Sequence, residues 1–423
     1  MKILFLTCHL PFPPISGGRR REYELIKRLS NDFEISLCCI TKTYESDCKN
    51  LDYARKYCQA VFLFEADDLA KFETTPQKVL ALCYPQQVLR HMSAAARVRI
   101  AQLLEEEFDL IHVEGYYLMQ NLPFDVKQPI VLVDQNIEYL LYEQRLKIAD
   151  GANKQPYSQE YARTHTWERH AWRQSGMCVL VTQEDYRHVA DYRNDGAVRH
   201  VPDGVDHSTA LWNMQAELRQ QERGSDPTIL YVGNFGYHPN VDAALYFVHD
   251  VFPQVLTRLP NARLLLVGNA PPQAILDLAR PDQITVTGLV PSLMPFFEQA
   301  DLFICPLRIG GGIKVKILEA LYAGMAIVTT SIGAQGLGSA IEQAACVCDD
   351  PQEFADQVVE VISNPDLRRR LQNQALELVK TRPTWNEATS RLASCYQELA
   401  DGRGTEVCGI EAGGRQPTLS MEH

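Results

Sequence analysis

Three consecutive glycines, Gly310, Gly311 and Gly312, are followed by Ile313, Lys314, Lys316 and Glu319 in the stretch PLRIGGGIKVKILEALYAGMAIVTT that starts at Pro306. Glycine takes positive φ without strain and lets a backbone approach a ligand closely. The residues behind it read as a helix ending at Gly324, and a helix start offers free N–H groups and partial positive charge to an anion. Lys314 and Lys316 add full charge to that first turn, where it opposes the helix dipole, and Arg308 stands at the end of the preceding apolar run. Glu319, further along the helix, is suited to accept from the two hydroxyls of a ribose. Together these groups could hold a ligand that carries phosphates and hydroxyls. Taken alone, the pattern equally describes an ordinary glycine loop before a solvated helix.

Other chemistry-bearing residues also stand where apolar runs end. Gly17 and Gly18 follow the first run and precede Arg19, Arg20 and Arg21, while Glu114 closes DLIHVE. Asp134, Asn136 and Glu138 follow PIVLV, and Gly233 and Asn234 follow TILYV. Asn136 and Glu138 read either as ligand contacts or as the start of a helix. Runs of four to six apolar residues recur with helix-length segments between them: KILFLT, FEISLCCI, AVFLF, DLIHVE, PIVLVDQN, MCVLVT and VRHVP, then TILYVG, ARLLLVG, ITVTG, ADLFICPL and MAIVTT. Such runs predict parallel strands buried on both faces.

The expected fold class is therefore α/β, with two Rossmann-like doubly wound parallel-sheet domains facing a cleft and ligands outside the carboxyl ends of the strands. The expected boundaries are 1–205 for the first domain, 206–226 for a linker, 227–385 for the second domain, 386–400 for a C-terminal helix and 401–423 for a disordered tail.

The 423 residues suffice for two such cores, and the formal charge of −12, from 41 Lys and Arg against 53 Asp and Glu, argues against a nucleic-acid partner. Twelve cysteines are scattered without opposed C-x-x-C pairs, which predicts reduced thiols in a cytoplasmic protein and no structural zinc. The first apolar run is too short for a signal peptide and no run is long enough to span a membrane. No D-x-D triplet, metal-spaced His/Asp cluster or Walker A sequence occurs, so neither a metal nor a cofactor is expected.

The stretch ITVTGLVPSLMPFFEQADLFICPL, with the glycine–lysine stretch behind it, resembles the donor-binding half of the GT-B-fold glycosyltransferases of retaining family 4. VPDGVD from Val201 resembles that family's interdomain motif, TILYVGNFGYHPNVDAALYF its first second-domain strand and helix, and HLPFPPISGGRRREYELIKRL the loop and helix after its first strand. The resemblance implies that Glu319 is the second Glu of a Glu-x7-Glu motif and holds the nucleotide ribose. The first Glu would fall on Gly311. The family's diphosphate-neutralising Arg and Lys are replaced by Asn234 and Asn240, a loss that Arg308, Lys314 and Lys316 are expected to make good. Glu114 takes the place of a His that touches the donor sugar, where it could bond hydroxyls or act as a base. His112 is expected to point into the core.

The implied activity is transfer of a sugar from a nucleotide sugar, itself the donor substrate, to a saccharide or lipid-linked glycan, with retention and without a metal, in polysaccharide or glycoconjugate biosynthesis. In this reading Gly17, Gly18, Gly233, Asn234, Gly310, Gly311, Gly312, Ile313, Lys314 and Glu319 meet the donor. Glu114, Lys316 and Arg308 act at the reacting centre, and Arg19, Asn136 and Glu138 face the acceptor. The basic helix after Gly18 would be the part to rest on the inner face of a membrane. The missing Glu and cations keep open an inert GT-B-like subunit that binds sugar nucleotide or a partner enzyme, and a nucleotide-sugar epimerase is a further alternative.

Overall fold

The computed structural model describes residues 1–14, 17–71, 73–105, 108–149, 151–205 and 226–402. The linker expected at 206–226 and the tail expected at 401–423 therefore lie outside the described residues, apart from 226, 401 and 402. The apolar runs form two wholly parallel sheets. In the first, β1 (Lys2–Thr7), β2 (Glu34–Thr41), β3 (Ala60–Glu65), β4 (Leu110–Glu114), β5 (Ile130–Asp134), β6 (Met177–Leu180) and β7 (Val198–His200) stand in the order β3-β2-β1-β4-β5-β6-β7. In the second, β8 (Thr228–Val232), β9 (Arg263–Val267), β10 (Ile284–Val286), β11 (Leu302–Cys305), β12 (Ile327–Thr329) and β13 (Ala345–Val347) stand in the order β10-β9-β8-β11-β12-β13. Strand order reverses between β1 and β4 and again between β8 and β11, which places a ligand crevice at each of those junctions. Gly17 and Glu114 follow or end the strands of the first junction, Gly233 and Gly310 those of the second.

β13 was not among the expected strands. It is three residues long, at the sheet edge, and its ACV sequence leaves no periodicity to read.

Each sheet is buried on both faces because its strands carry apolar side chains at nearly every position. Ile3 to Leu6 and Ile229 to Tyr231 are fully buried. The terminal helix Trp385–Ala400 crosses back from the second domain: Leu392, Cys395, Tyr396 and Leu399 sit in a cluster with Ile3, Phe5 and Val131 of the first sheet. Its Tyr396 hydroxyl donates 2.6 Å to His112 Nδ1 on β4, so the last helix is part of the first domain's core.

The chain thus passes between the domains twice, and the two passages touch. Val205 N donates 2.9 Å to Pro383 O, and a Cβ on Gly204 would lie 2.4 Å from the backbone N of Trp385. Only a residue without a side chain permits this approach. Beside it, the fully buried Arg21 donates 2.7 Å to Asp203 Oδ1 and 3.0 Å to Val201 O, tying helix Gly17–Leu29 to the crossing.

Gly204→Ala is expected to destabilise the protein by about 1–3 kcal/mol, the usual cost of forced overpacking. Gly151→Ala, where the added Cβ meets nothing within 4 Å, should leave the melting transition unchanged or raise it. Differential scanning calorimetry of both variants makes the comparison.

Candidate functional site

The second domain's part of the site is built at the carboxyl ends of β8 and β11. Gly233 follows β8, and a Cβ there would meet Asn240 Cγ at 3.1 Å and Lys316 Nζ at 3.3 Å. Lys316 lies in the first turn of helix Val315–Tyr322 and donates 2.5 Å to Asn240 Oδ1 and 3.2 Å to the Tyr231 hydroxyl, with its ammonium 4.7 Å from the Tyr231 ring centre. No carboxylate comes within ion-pair distance among the described residues, and burial lowers its pKa to about 8. An ammonium so placed is ready for an anion beside Gly233. Glu319 is one helical turn further along the same helix, and burial raises its pKa, with Arg20 and Lys316 opposing.

The other two expected cations are engaged elsewhere. Arg308 forms a two-pronged ion pair with Asp242, at 2.6 and 3.1 Å, and lies 4.7 Å over the Tyr246 ring. Lys314 is buried and folds back on the loop before it, donating 3.0 Å to Gly311 O and 2.8 Å to Gly312 O. Its ammonium thus serves loop carbonyls, a role that the sequence could not distinguish from a phosphate contact. Asn234 is exposed, its Oδ1 accepting 3.0 Å from Gly236 N while its carbonyl accepts 2.7 Å from Asn240 Nδ2. Ile313 packs on the second-domain core.

The glycine loop itself is pressed against the first domain. Gln144, on helix Glu138–Ile148, exchanges two hydrogen bonds with Gly310, at 2.8 and 3.2 Å. A Cβ on Gly311 would meet Asn136 Cβ at 3.1 Å and Leu141 Cδ2 at 3.2 Å. Gly312, with φ of +58°, would place one 2.3 Å from Gln135 O. At least part of the reason for glycine here is therefore the closeness of the two domains.

On the first domain, Glu114 is buried with both carboxylate oxygens occupied. His112 Nε2 donates 2.9 Å to Oε1 and Gln135 Nε2 donates 3.2 Å to Oε2. Burial opposes the charge of Glu114, but the hydrogen bond from His112, the nearby charge of Arg21 and the hydrogen bond from Gln135 together hold its pKa below the usual range. Burial also lowers His112, consistent with a neutral ring that accepts from Tyr396 and donates to Glu114. Gln135 was missed by the sequence reading. It lies between Glu114 and Gly18, where an added Cβ would stand 3.1 Å from Gln135 Oε1. A polar residue just beyond a strand's carboxyl end was the available signal.

Glu138 opens helix Glu138–Ile148, yet the orphan N–H groups of that helix are met by Glu168, which accepts 2.9 Å from Glu138 N and 3.1 Å from Tyr139 N. The Glu138 side chain is thus released from capping. Burial raises its pKa to about 7, with Arg145 and a hydrogen bond to Asn136 opposing. Asp134 is structural, bonding Trp172 Nε1 at 2.7 Å and Tyr116 N at 3.0 Å.

The arginines after Gly18 face acids of the same chain. Arg19 pairs with Asp47 at 3.5 Å, Arg20 with Glu319 at 3.8 Å and Arg21 with Asp203 at 2.7 Å. All three are drawn to carboxylates of this chain, Arg20 the most loosely. No helix among the described residues is long and apolar enough to cross a membrane. Beside Glu319 lies a cavity of about 210 Å³ whose walls include Arg20, Asp203, Leu293, Phe297, Leu318 and Tyr322.

Comparison with known proteins bears on this arrangement. Residues 226–364, most of the second domain, match the family model described as Glycosyl transferases group 1. The chain is 22% identical over 380 residues, 86% of its length and 91% of the relative's, to an uncharacterised 44.6 kDa protein in the cps region of Klebsiella pneumoniae. It is 26% identical over 200 residues, 44% of its length and 49% of the relative's, to alpha-D-kanosaminyltransferase of Streptomyces kanamyceticus. Among solved structures it is similar to sucrose-phosphate synthase of Thermosynechococcus elongatus, with a TM-score of 0.68 and 16% identity, covering 95% of this chain and 100% of that one. It is also similar to Anabaena HepE in complex with UDP and glucose, with a TM-score of 0.63 and 14% identity, covering 94% and 100%. The architecture is the two-domain GT-B fold of these glycosyltransferases.

Lys316 should titrate near pH 8, below a solvent-exposed lysine at about 10.4. Its acetylation by a water-soluble reagent, followed residue by residue by mass spectrometry, is expected to rise through a midpoint near 8 while surface lysines still lag. A midpoint near 10 would contradict this placement of the ammonium.

Proposed function

We propose that the protein is a glycosyltransferase that moves a sugar from a nucleotide-sugar donor to a saccharide or lipid-linked glycan acceptor, with retention and without a metal. The observation that carries this reading is the placement of Lys316 and Glu319. A cation held against the Gly233 backbone and a carboxylate one turn away suit the diphosphate and the ribose hydroxyls of one extended ligand. The family match over the same domain supports it.

In this mechanism the nucleoside enters beside Glu319, where the cavity wall formed by Leu293, Phe297, Leu318 and Tyr322 is mainly apolar. The diphosphate lies between Gly233 and the start of helix Gly17–Leu29, with Lys316 meeting the charge that grows on the leaving oxygen. The sugar then falls toward the carboxyl ends of β4 and β5, where Gln135 rather than the enclosed Glu114 presents a free face. Asn136 and Glu138 stand on the acceptor side. A carboxyl near pKa 7 is matched to taking up the acceptor's hydroxyl proton at neutral pH. Contact between the glycine loop and helix Glu138–Ile148 excludes water from the reacting atoms.

Binding tests the donor site directly. Against a panel of UDP-, GDP-, ADP- and TDP-sugars, one nucleotide at about 100 times its dissociation constant is expected to stabilise the protein by about 2.7 kcal/mol. Lys316→Ala and Glu319→Ala should each remove that shift without lowering the unliganded melting temperature by more than a few degrees. No shift with any nucleotide would favour an inert subunit instead.

A further inference from the structure

Arg20 has no part in the mechanism so far. It is the fourth residue of helix Gly17–Leu29, immediately behind Gly18 and Arg19, and it reaches across the cleft to Glu319. The contact is 3.8 Å, and the Arg20 side chain keeps 43% of its surface exposed. That is a loose pair, worth little in solvent, unlike the buried pairing of Arg21 with Asp203. Both Arg20 and Glu319 line the cavity of about 210 Å³.

The charge balance of the site gives this residue a purpose. A nucleoside diphosphate carries more than one negative charge, while Arg308 is engaged by Asp242 and Lys314 by the glycine-loop carbonyls. Of the three second-domain cations considered for the donor, Lys316 alone faces Gly233. A ligand whose ribose hydroxyls donate to Glu319 satisfies that carboxylate and leaves the guanidinium of Arg20 beside the bound molecule.

We propose that Arg20 is a switching cation, held by Glu319 in this structure and transferred to the donor's diphosphate when the ribose takes Glu319. The proposal rests on the nucleotide-sugar reading and names a residue of the first domain as a ligand of the leaving group. When the bond between the anomeric carbon and the phosphate oxygen breaks, the electron pair stays on that oxygen. A planar guanidinium, always charged and able to bond two phosphate oxygens, suits that position. Because Arg20 and Lys316 belong to different domains, one anion held by both draws the domains together.

Isothermal titration of the full chain with a nucleoside and its matching diphosphate, the base being the one found by the panel, tests this on wild type, Arg20→Gln and Arg20→Lys. Arg20→Gln is expected to weaken the diphosphate by about tenfold or more and to change the nucleoside by less than about twofold, as loss of a charged hydrogen bond to phosphate predicts. Arg20→Lys should recover part of the diphosphate affinity and none of the two-pronged geometry. Tighter binding of both ligands to Arg20→Gln would mean that Arg20 merely competes for Glu319, and equal loss of both would mean that it touches the nucleoside or only supports the fold; either result overturns the proposal. A wild type that binds no nucleotide overturns the donor-site reading, and this one with it.

Discussion

The site depends on the approach of two backbones: the Gly310–Gly312 loop of one domain against Gln135 and Asn136 at the end of β5 in the other. At Gly312 the approach leaves no room for a Cβ, and at Gly310 it is closed by the paired hydrogen bonds of Gln144. With those contacts in place, the carboxyl ends of both sheets face one another, and residues more than 170 positions apart in the chain share one cleft. The crossing of Val205 with Pro383 and Trp385 sets the other end of the same arrangement, since both passages between domains run through it.

The contact also gives a physical account of Gly311, the position where the resemblance led one to expect a carboxylate. In this arrangement a side chain there would run into Asn136 and Leu141. A Glu at 311 would have to push those two side chains aside, so glycine suits the close interface. Polar groups of the first domain, Gln135 and Asn136, stand against the glycine loop instead.

Charge in the cleft follows from burial more than from composition. The chain carries a formal charge of −12, yet Lys314 and Lys316 are both depressed to about 8 because burial disfavours their charged form. One ammonium bonds the loop carbonyls of Gly311 and Gly312; the other bonds an amide and a phenol, both neutral partners. On the facing domain, Glu114 and His112 form a buried, satisfied pair anchored by Tyr396 from the far end of the chain. That pair supports the carboxyl end of β4, while Gln135 covers it from the cleft.

The sequence by itself determined the two parallel sheets, because unbroken apolar runs can only be buried on both faces, and it determined which residues lie at strand ends, because the runs stop there. It also marked the glycine loop and the helix behind it. It could not separate Lys314 from Lys316, two residues apart on the same turn, since the difference lies in what each ammonium reaches: Gly311 and Gly312 carbonyls in one case, Asn240 and Tyr231 in the other. Nor could it show Arg308 committed to Asp242, the last helix returning to the first core, or Arg20 meeting Glu319. Each of these is a contact between segments distant in the chain, and the energy that selects among partners for a charged side chain resides in the packed arrangement, where burial and distance are decided together.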